Sequence, residues 1–339
     1  MHDVLVAGGG PAGLAVALGA ARAGMGVVVC EKRAGALDKA CGEGLMPGAL
    51  QALRALGVDP PGFEIRGITY RQGTSAAQAT FPAGPGRGVR RTVLHSALRD
   101  AVAAAGVCVL DRPIGRVDQH ADRVEAAGLC ARYLVAADGL HSPIRRTLGL
   151  NAPSPAPMRW GQRRHFAVAP DSDFVEVTWA ASSEAYLTPV AEDTIGVAVL
   201  SGERGSFDDQ LTAFPELAAR LRGATAVSDV RGAGPLRQRV SGRVAGRVLL
   251  VGDAAGYIDA LTGEGLAVSL AAAAELVACL AAGRPEAYER AWARVSRRSR
   301  WITNGLLWAR HRPVLGGAVV PLAARAPRLF TAAVAQLAH

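Results

Sequence analysis

Residues 3–33 read DVLVAGGGPAGLAVALGAARAGMGVVVCEKR. Val4–Ala7 have the unbroken apolar character of a strand buried on both faces. Leu14–Ala23 suit a helix, and Val27–Cys30 a second strand that ends at Glu31. Gly8, Gly10 and Gly13 make a GxGxxG turn around Pro11 and Ala12. With an acid about 20 residues further on, this is the complete βαβ pattern of a dinucleotide site. Gly8 allows the tight turn, Gly10 admits a diphosphate to the backbone, and Gly13 lets helix and strand lie close. The free amides and the positive helix end meet the phosphate charge. Glu31 accepts hydrogen bonds from ribose hydroxyls, and Lys32 beside it is placed in the same site. The turn by itself does not separate FAD from NAD.

The totals bound the remaining choices. At 339 residues the chain is long enough for a large nucleotide-binding domain carrying a smaller one. Half of the residues are apolar and the net charge is +9. Lys32 and Lys39 are the only lysines among 38 basic residues, the arginine excess of a GC-rich genome. Ten arginines against Glu286 and Glu289 lie between Arg284 and His339, so the charge is a local basic tail. With no recognition motif beside it, nucleic-acid binding is not expected. The five cysteines are odd in number, and neither CxxC pairs nor metal-ligand spacings occur. Neither a disulfide framework, a zinc site nor any other metal site is expected. The first strand starts almost at once and no apolar run reaches the roughly 18 residues of a spanning helix, so the cytoplasm is the expected location.

Two further stretches repeat the theme of a buried strand followed by an acidic turn. YLVAADGLHSPIRR (133–146) places Asp138 and Gly139 after a strand. Ser142 then stands as N-cap, Pro143 opens a helix, and Arg145 falls in its first turn. RVLLVGDAAGYIDALTGEG (247–265) places Gly252 and Asp253 after the strand Val248–Val251, and frames a helix start with Gly263 and Gly265.

The three stretches, in this order, resemble the FAD-dependent flavoprotein monooxygenase superfamily typified by para-hydroxybenzoate hydroxylase. The third stretch and the CGEG at Cys41–Gly44 also resemble the geranylgeranyl reductase branch. The resemblance covers the chain to about residue 283. It implies an α/β fold: a Rossmann-like FAD-binding domain of three layers (ββα), an inserted antiparallel-sheet substrate domain and a C-terminal helical segment. The FAD-binding parts fall at 1–64, 89–155 and 239–283, the substrate-domain strands at 65–88 and 156–238, and the basic helical segment at 284–339. It implies non-covalent FAD, with Asp253 bonding the ribityl chain and Asp138 helping to hold the cofactor. Arg91 heads a helix near FAD, or is an ordinary solvated helix-start arginine. The helix behind Gly263 and Gly265 would stabilise negative charge on the reduced ring. A proline usual after the third motif is replaced by Ala260, which alters the backbone there. No second GxGxxG occurs, so NAD(P)H is expected only as a transient reductant.

The loop KACGEGLMP (39–47) falls where the superfamily approaches the ring. Gly42 permits backbone contact, Cys41 lies beside it, and Glu43 and Glu264 are the acids expected near the ring, one of them a proton shuttle. Runs at 163–170, 173–181, 184–191 and 193–200 read as an antiparallel meander, joined by a pair near Ile65–Arg71 and Ala76–Phe81. Its flavin-facing candidates for substrate contact are His165, Trp179 and Tyr186. Core packing for Trp179 and Tyr186, and a sheet-surface place for His165, are the structural alternatives. In the tail, Pro313, Gly316, Gly317 and Pro321 are expected to break the chain into short helices. They either pack on the FAD domain with a solvated arginine face or touch an anionic membrane. The expected substrate is aromatic, polyketide-like or lipid-like. The expected reaction is hydroxylation through a flavin C4a-hydroperoxide. Its rival is reduction of a prenyl double bond, which the short C-terminal region disfavours. Nothing in the sequence sets the oligomeric state.

Overall fold

The computed structural model describes residues 1–154, 157–310 and 312–337. The expected boundary between 155 and 156 and the last two residues of the tail lie outside the described residues.

The first sheet runs in the order Val248–Leu250, Leu129–Ala136, His2–Ala7, Val27–Glu31 and Cys108–Asp111, all parallel. Antiparallel strands Val117–Gln119 and Val124–Ala126 fold back on Leu129–Ala136. Helices Pro11–Arg22, Arg91–Ala104 and Gly265–Ala281 pack together with this sheet. Such strands are apolar without alternation because both faces are covered. Register then decides the site: Ala7 lies opposite Ala136, and Ala136 opposite Leu250. The three acidic or glycine turns therefore leave neighbouring strands at one carboxyl edge, where open α/β sheets take ligands.

The second sheet is ordered Thr225–Ala226, Trp160–Ala167, Thr194–Ser201, Ser183–Ala191, Phe174–Trp179, Gly67–Gln72 and Ser75–Thr80. The expected simple meander is corrected here. Phe174–Trp179 pairs in parallel with Gly67–Gln72, so Trp160–Ala167 crosses over to the free edge of Thr194–Ser201. Period-2 alternation sorts the side chains. Leu187, Ile195, Val197 and Val199 pack with Phe207 and Phe214, while Tyr186, Ala198 and Leu200 join Tyr70, Trp179 and Leu261.

In the tail Pro313 opens a new helix as expected, but Gly316, Gly317 and Pro321 do not interrupt it. Tyr288–Arg310 before it is one helix of 23 residues. Tyr288–Arg310 packs on Gly265–Ala281 of the first domain. Pro313–Arg325 and Pro327–Leu337 pack instead on the second sheet, where Phe330 meets Tyr70 edge-on at 5.7 Å. Proline is tolerated because the apolar surface of Gly67–Thr80 needs covering, and burial outweighs one lost helix bond.

Candidate functional site: the cofactor groove and the network behind it

The glycine turn has the geometry that the sequence demands. Gly8 has φ +113°, and a Cβ on Gly13 would stand 2.0 Å from the Gly8 carbonyl. Gly10 differs: a Cβ there meets nothing within 4 Å, so protein packing does not require this glycine and a ligand's approach does. Pro11 is the first residue of the helix, and Ala12 faces Gly252 across the gap.

Glu31 is buried, and its Oε2 accepts the Gly9 amide at 2.8 Å while Oε1 accepts the Arg33 amide at 3.1 Å. Burial opposes its ionisation, but the Gly9 amide and Arg33 hold the carboxyl below the usual range. Lys32 is exposed. The lysine brought into the groove is Lys39, whose Nζ would stand 3.2 Å from a Cβ on Gly139. Burial first, then Arg33 and Arg91, lowers its pKa, while Asp253 and Glu31 pull the other way. This residue escaped sequence reading because a cation in a loop has no periodic signal. His95 escaped too. It is buried, accepts the Leu37 amide through Nδ1 at 3.2 Å, and its Nε2 lies 2.9 Å from the Gly9 carbonyl. The neutral ring, favoured by burial, thereby ties the Arg91 helix to the glycine turn. Its place on the apolar face with Leu94 and Leu98 was the available signal.

The second and third motifs meet through Arg145, which is 2% exposed. It donates to the carbonyls of Asp253, Ala254 and Leu140, and to Asn151 and Gln238. Ser142 caps the helix by accepting the Arg145 amide at 2.9 Å. Asp138 Oδ2 accepts the Ile144 amide at 3.2 Å, but its buried Oδ1 has no partner. Burial pushes this carboxyl up, against Ser142, the Ile144 amide and Arg145. Arg91 donates its amide to Glu43 at 2.8 Å while its buried Nε has no partner. Gly252 (φ +64°) opens the turn that carries Asp253, whose carboxylate bonds no other described residue. Gly263 (φ +68°) and Gly265 flank Glu264 at the start of the long helix.

Glu43 is corrected from a ring-side proton shuttle. Its backbone has φ +61°, and its buried carboxylate is fully engaged. Oε1 accepts the Arg91 amide, and Oε2 lies 2.6 Å from His165 Nε2. Arg163 stands 3.7 Å from Oε1, bonds His165, and pairs with Asp38, which Arg231 also holds. His165, 1% exposed, is not a sheet-surface residue and ties the second sheet to the loop that carries Glu43. Cys41 Sγ accepts the Glu43 amide at 3.4 Å, and the Gly42 carbonyl accepts Thr188 at 2.8 Å. A Cβ on Gly42 would meet nothing within 4 Å.

Trp179 is buried against Tyr70 and under the Arg310 guanidinium, in the core. Tyr186 donates to the Leu261 carbonyl at 3.0 Å, so it touches the third-motif loop although it is buried. Glu264 is buried, with Oε2 unpartnered, and burial raises its pKa against Ser299, Thr262 and Arg298. A cavity of about 480 Å³ lies beside that loop, lined by Ile258, Asp259, Leu307, Trp308, Arg159 and Arg237 among others. The groove thus holds an open glycine, unpartnered buried donors and acceptors, and Lys39 drawn close to Arg33 and Arg91, a donor set that fits a dinucleotide diphosphate.

The model of the FAD-binding domain matches residues 1–78 and 114–291. The chain belongs to this FAD-binding family. Within it, this flavoprotein is 28% identical over 338 residues to a menaquinone reductase of Mycolicibacterium smegmatis, covering 86% of this chain and 79% of the relative. It is 31% identical over 300 residues to digeranylgeranylglycerophospholipid reductase 2 of Methanopyrus kandleri, covering 79% and 74%. It is 28% identical over 315 residues to the aurachin C monooxygenase/isomerase of Stigmatella aurantiaca, covering 82% and 80%. The solved flavin-dependent brominase Bmp2 shares the fold, with a TM-score of 0.83 at 18% identity over 99% of this chain and 93% of that one. The flavoprotein is an FAD-dependent oxidoreductase by family, and both the hydroxylase and the reductase branches are represented among its relatives.

Proposed function

We propose that this flavoprotein reduces a carbon–carbon double bond in an apolar, prenyl-type chain, with NAD(P)H as the transient electron source. The carrying observation is the 480 Å³ cavity beside the third-motif loop, with Ile258, Leu307 and Trp308 in its wall. Its apolar side chains suit a hydrocarbon chain, and Arg159, Arg237 and Arg312 in the same lining suit a polar end on that chain. The reductases among the relatives support the same reaction class. FAD, when bound, supplies the two-electron reduction. The Gly8–Gly13 turn, Lys39 and Arg91 would hold its diphosphate, Asp253 would accept from its ribityl hydroxyls, and Asp138 and Glu31 would complete the cradle. The start of helix Gly265–Ala281 steadies negative charge. Glu264, whose carboxyl burial pushes up and whose Oε2 has no partner, is placed to deliver the proton that completes saturation.

The second reading is hydroxylation, favoured by the aurachin C monooxygenase/isomerase among the relatives. Single turnover separates the two. The FAD-loaded enzyme is reduced and mixed with geranylgeranyl diphosphate, which carries no other reducible group, in the absence of oxygen. Return of oxidised-flavin absorbance with a product two hydrogens heavier supports reduction. An oxygenated product formed only in air supports hydroxylation and overturns the first reading.

The tail supports a lipid-surface partner for such a substrate. Trp301 and Trp308, 83% and 57% exposed, lie seven residues apart on one helical face with exposed Arg294 and Arg297. Among the described residues no single helix is long and apolar enough to cross a membrane, although the bent pair Gly316–Arg325 and Pro327–Gln336 passes by length and composition together.

A further inference from the structure

A second cavity, of about 210 Å³, lies between the third-motif turn and helix Tyr288–Arg310. Four arginines line it: Arg237, Arg239, Arg243 and Arg300. Two carboxylates share the lining, Asp253 and Asp259, and Asp259 is paired with Arg159 at 3.0 Å. Glu289 pairs with Arg243 at 3.0 Å. Arg237 bonds Asn304, and Arg239 bonds the Pro153 carbonyl. Neither of these, nor Arg300, has an ion-pair partner among the described residues. Burial, then Arg243, Arg237 and Arg239, lowers the pKa of Arg300, as expected where guanidiniums crowd without a counter-ion.

Each guanidinium is held in place with only part of its donor set used: Arg243 gives Nε to the Ala255 carbonyl and one terminal nitrogen to Glu289. Arg243 and Arg300 sit over the Trp292 ring, with guanidinium carbons 3.7 and 5.2 Å from its centroid. Stacking fixes a guanidinium through its face and leaves its in-plane N–H groups available. Arg237 Nε is buried without a partner, and so is the hydroxyl of Ser296, a residue 1% exposed in the cavity wall. Ser299, Thr303 and Asn304 add further donors. Many donors around a small volume fit a polyanion with several acceptor oxygens better than a single carboxylate.

We infer that this cavity binds a phosphate or diphosphate group. It shares Arg237, Ile258, Asp259 and Asn304 with the larger apolar cavity, so a phosphorylated head group held here would place its chain in the larger one. That last placement rests on the proposed reaction; the phosphate site itself does not.

The test is isothermal titration of the FAD-loaded protein with inorganic pyrophosphate, a readout that needs no turnover. Saturable binding is expected, weakened about tenfold in each of Arg237→Gln and Arg300→Gln, since each removes a charge-assisted donor. Arg328→Gln, outside the cavity, is expected to match wild type. Should either cavity variant fail to fold, Ser296→Ala is expected to weaken binding by roughly threefold. Geranylgeranyl diphosphate against geranylgeraniol, and NADPH against NADH, then name the source. A diphosphate advantage that Arg300→Gln abolishes assigns a substrate head group, and an NADPH preference that it abolishes assigns the nucleotide. Pyrophosphate binding with neither preference assigns a free phosphate. Absence of saturable pyrophosphate binding, or equal binding by wild type and the cavity variants, overturns the inference whatever the flavin does.

Discussion

At the scale of single residues, the glycines of the first turn separate fold from ligand. Gly13 is required by the protein, since its Cβ would strike the Gly8 carbonyl. Gly10 has extended backbone at φ −73° and open space. Gly13→Ala should therefore cost about 3 kcal/mol in urea unfolding. Gly10→Ala should keep or gain about 0.5 kcal/mol of stability while its FAD affinity falls about tenfold or more. Equal effects of the two substitutions on stability would contradict this division. Glu264 makes a second residue-scale prediction. Its folded pKa is raised, so the folded state binds the extra proton between the unfolded value of about 4.3 and the folded one, and stability falls as pH rises through that window. Glu264→Gln should be more stable than wild type at pH 7, with the gain vanishing near pH 4, while turnover falls if Glu264 supplies the proton. Urea titrations at the two pH values check the sign. The glycines were legible because each has a steric reason visible in a short motif. The placement of Lys39 was not, because it depends on where a loop turns.

At the scale of elements, buried charge joins pieces that are distant in sequence. Arg310, at the end of helix Tyr288–Arg310, bonds Glu184 at 2.8 Å and the carbonyls of Ser183 and Ala180. Glu184 also pairs with Arg159, which bonds Asp259 in the third-motif loop. One carboxylate thus holds helix, second sheet and loop together. Arg310→Ala should cost about 3 kcal/mol by leaving Glu184 half-paired in a buried site. Hydrogen exchange should accelerate in the C-terminal half of that helix and spare the strands His2–Ala7 and Val27–Glu31. Uniform acceleration across the chain would refute a local anchor. The same logic explains Glu43 and His165, whose contact ties the second sheet to the loop that carries Glu43.

At the scale of the whole molecule, the basic tail places Arg294, Arg297 and two exposed tryptophans on an outward face, beside the wall of the larger cavity. The protein should co-sediment with vesicles containing anionic phosphatidylglycerol and ignore neutral phosphatidylcholine. The partition should fall about tenfold in the double variant Trp301→Ala/Trp308→Ala, and be weakened by about 0.5 M salt. Equal binding to neutral and anionic vesicles would rule out an electrostatic contribution from the arginines.

The chain's own residues determined the parallel nucleotide-binding sheet, the glycine turn and the cofactor class, because close backbone approach and burial on both faces leave local, short-range marks. The tertiary structure alone decided that the last two helices cover the second sheet, that Trp160–Ala167 crosses to a far edge, and that Lys39 enters the groove. It also decided that Arg145, Glu43 and Glu184 act as internal ties and that four arginines surround one cavity. Those outcomes depend on which distant surfaces meet, and the partner of a buried charge is set by packing between segments up to 130 residues apart, which no local pattern records.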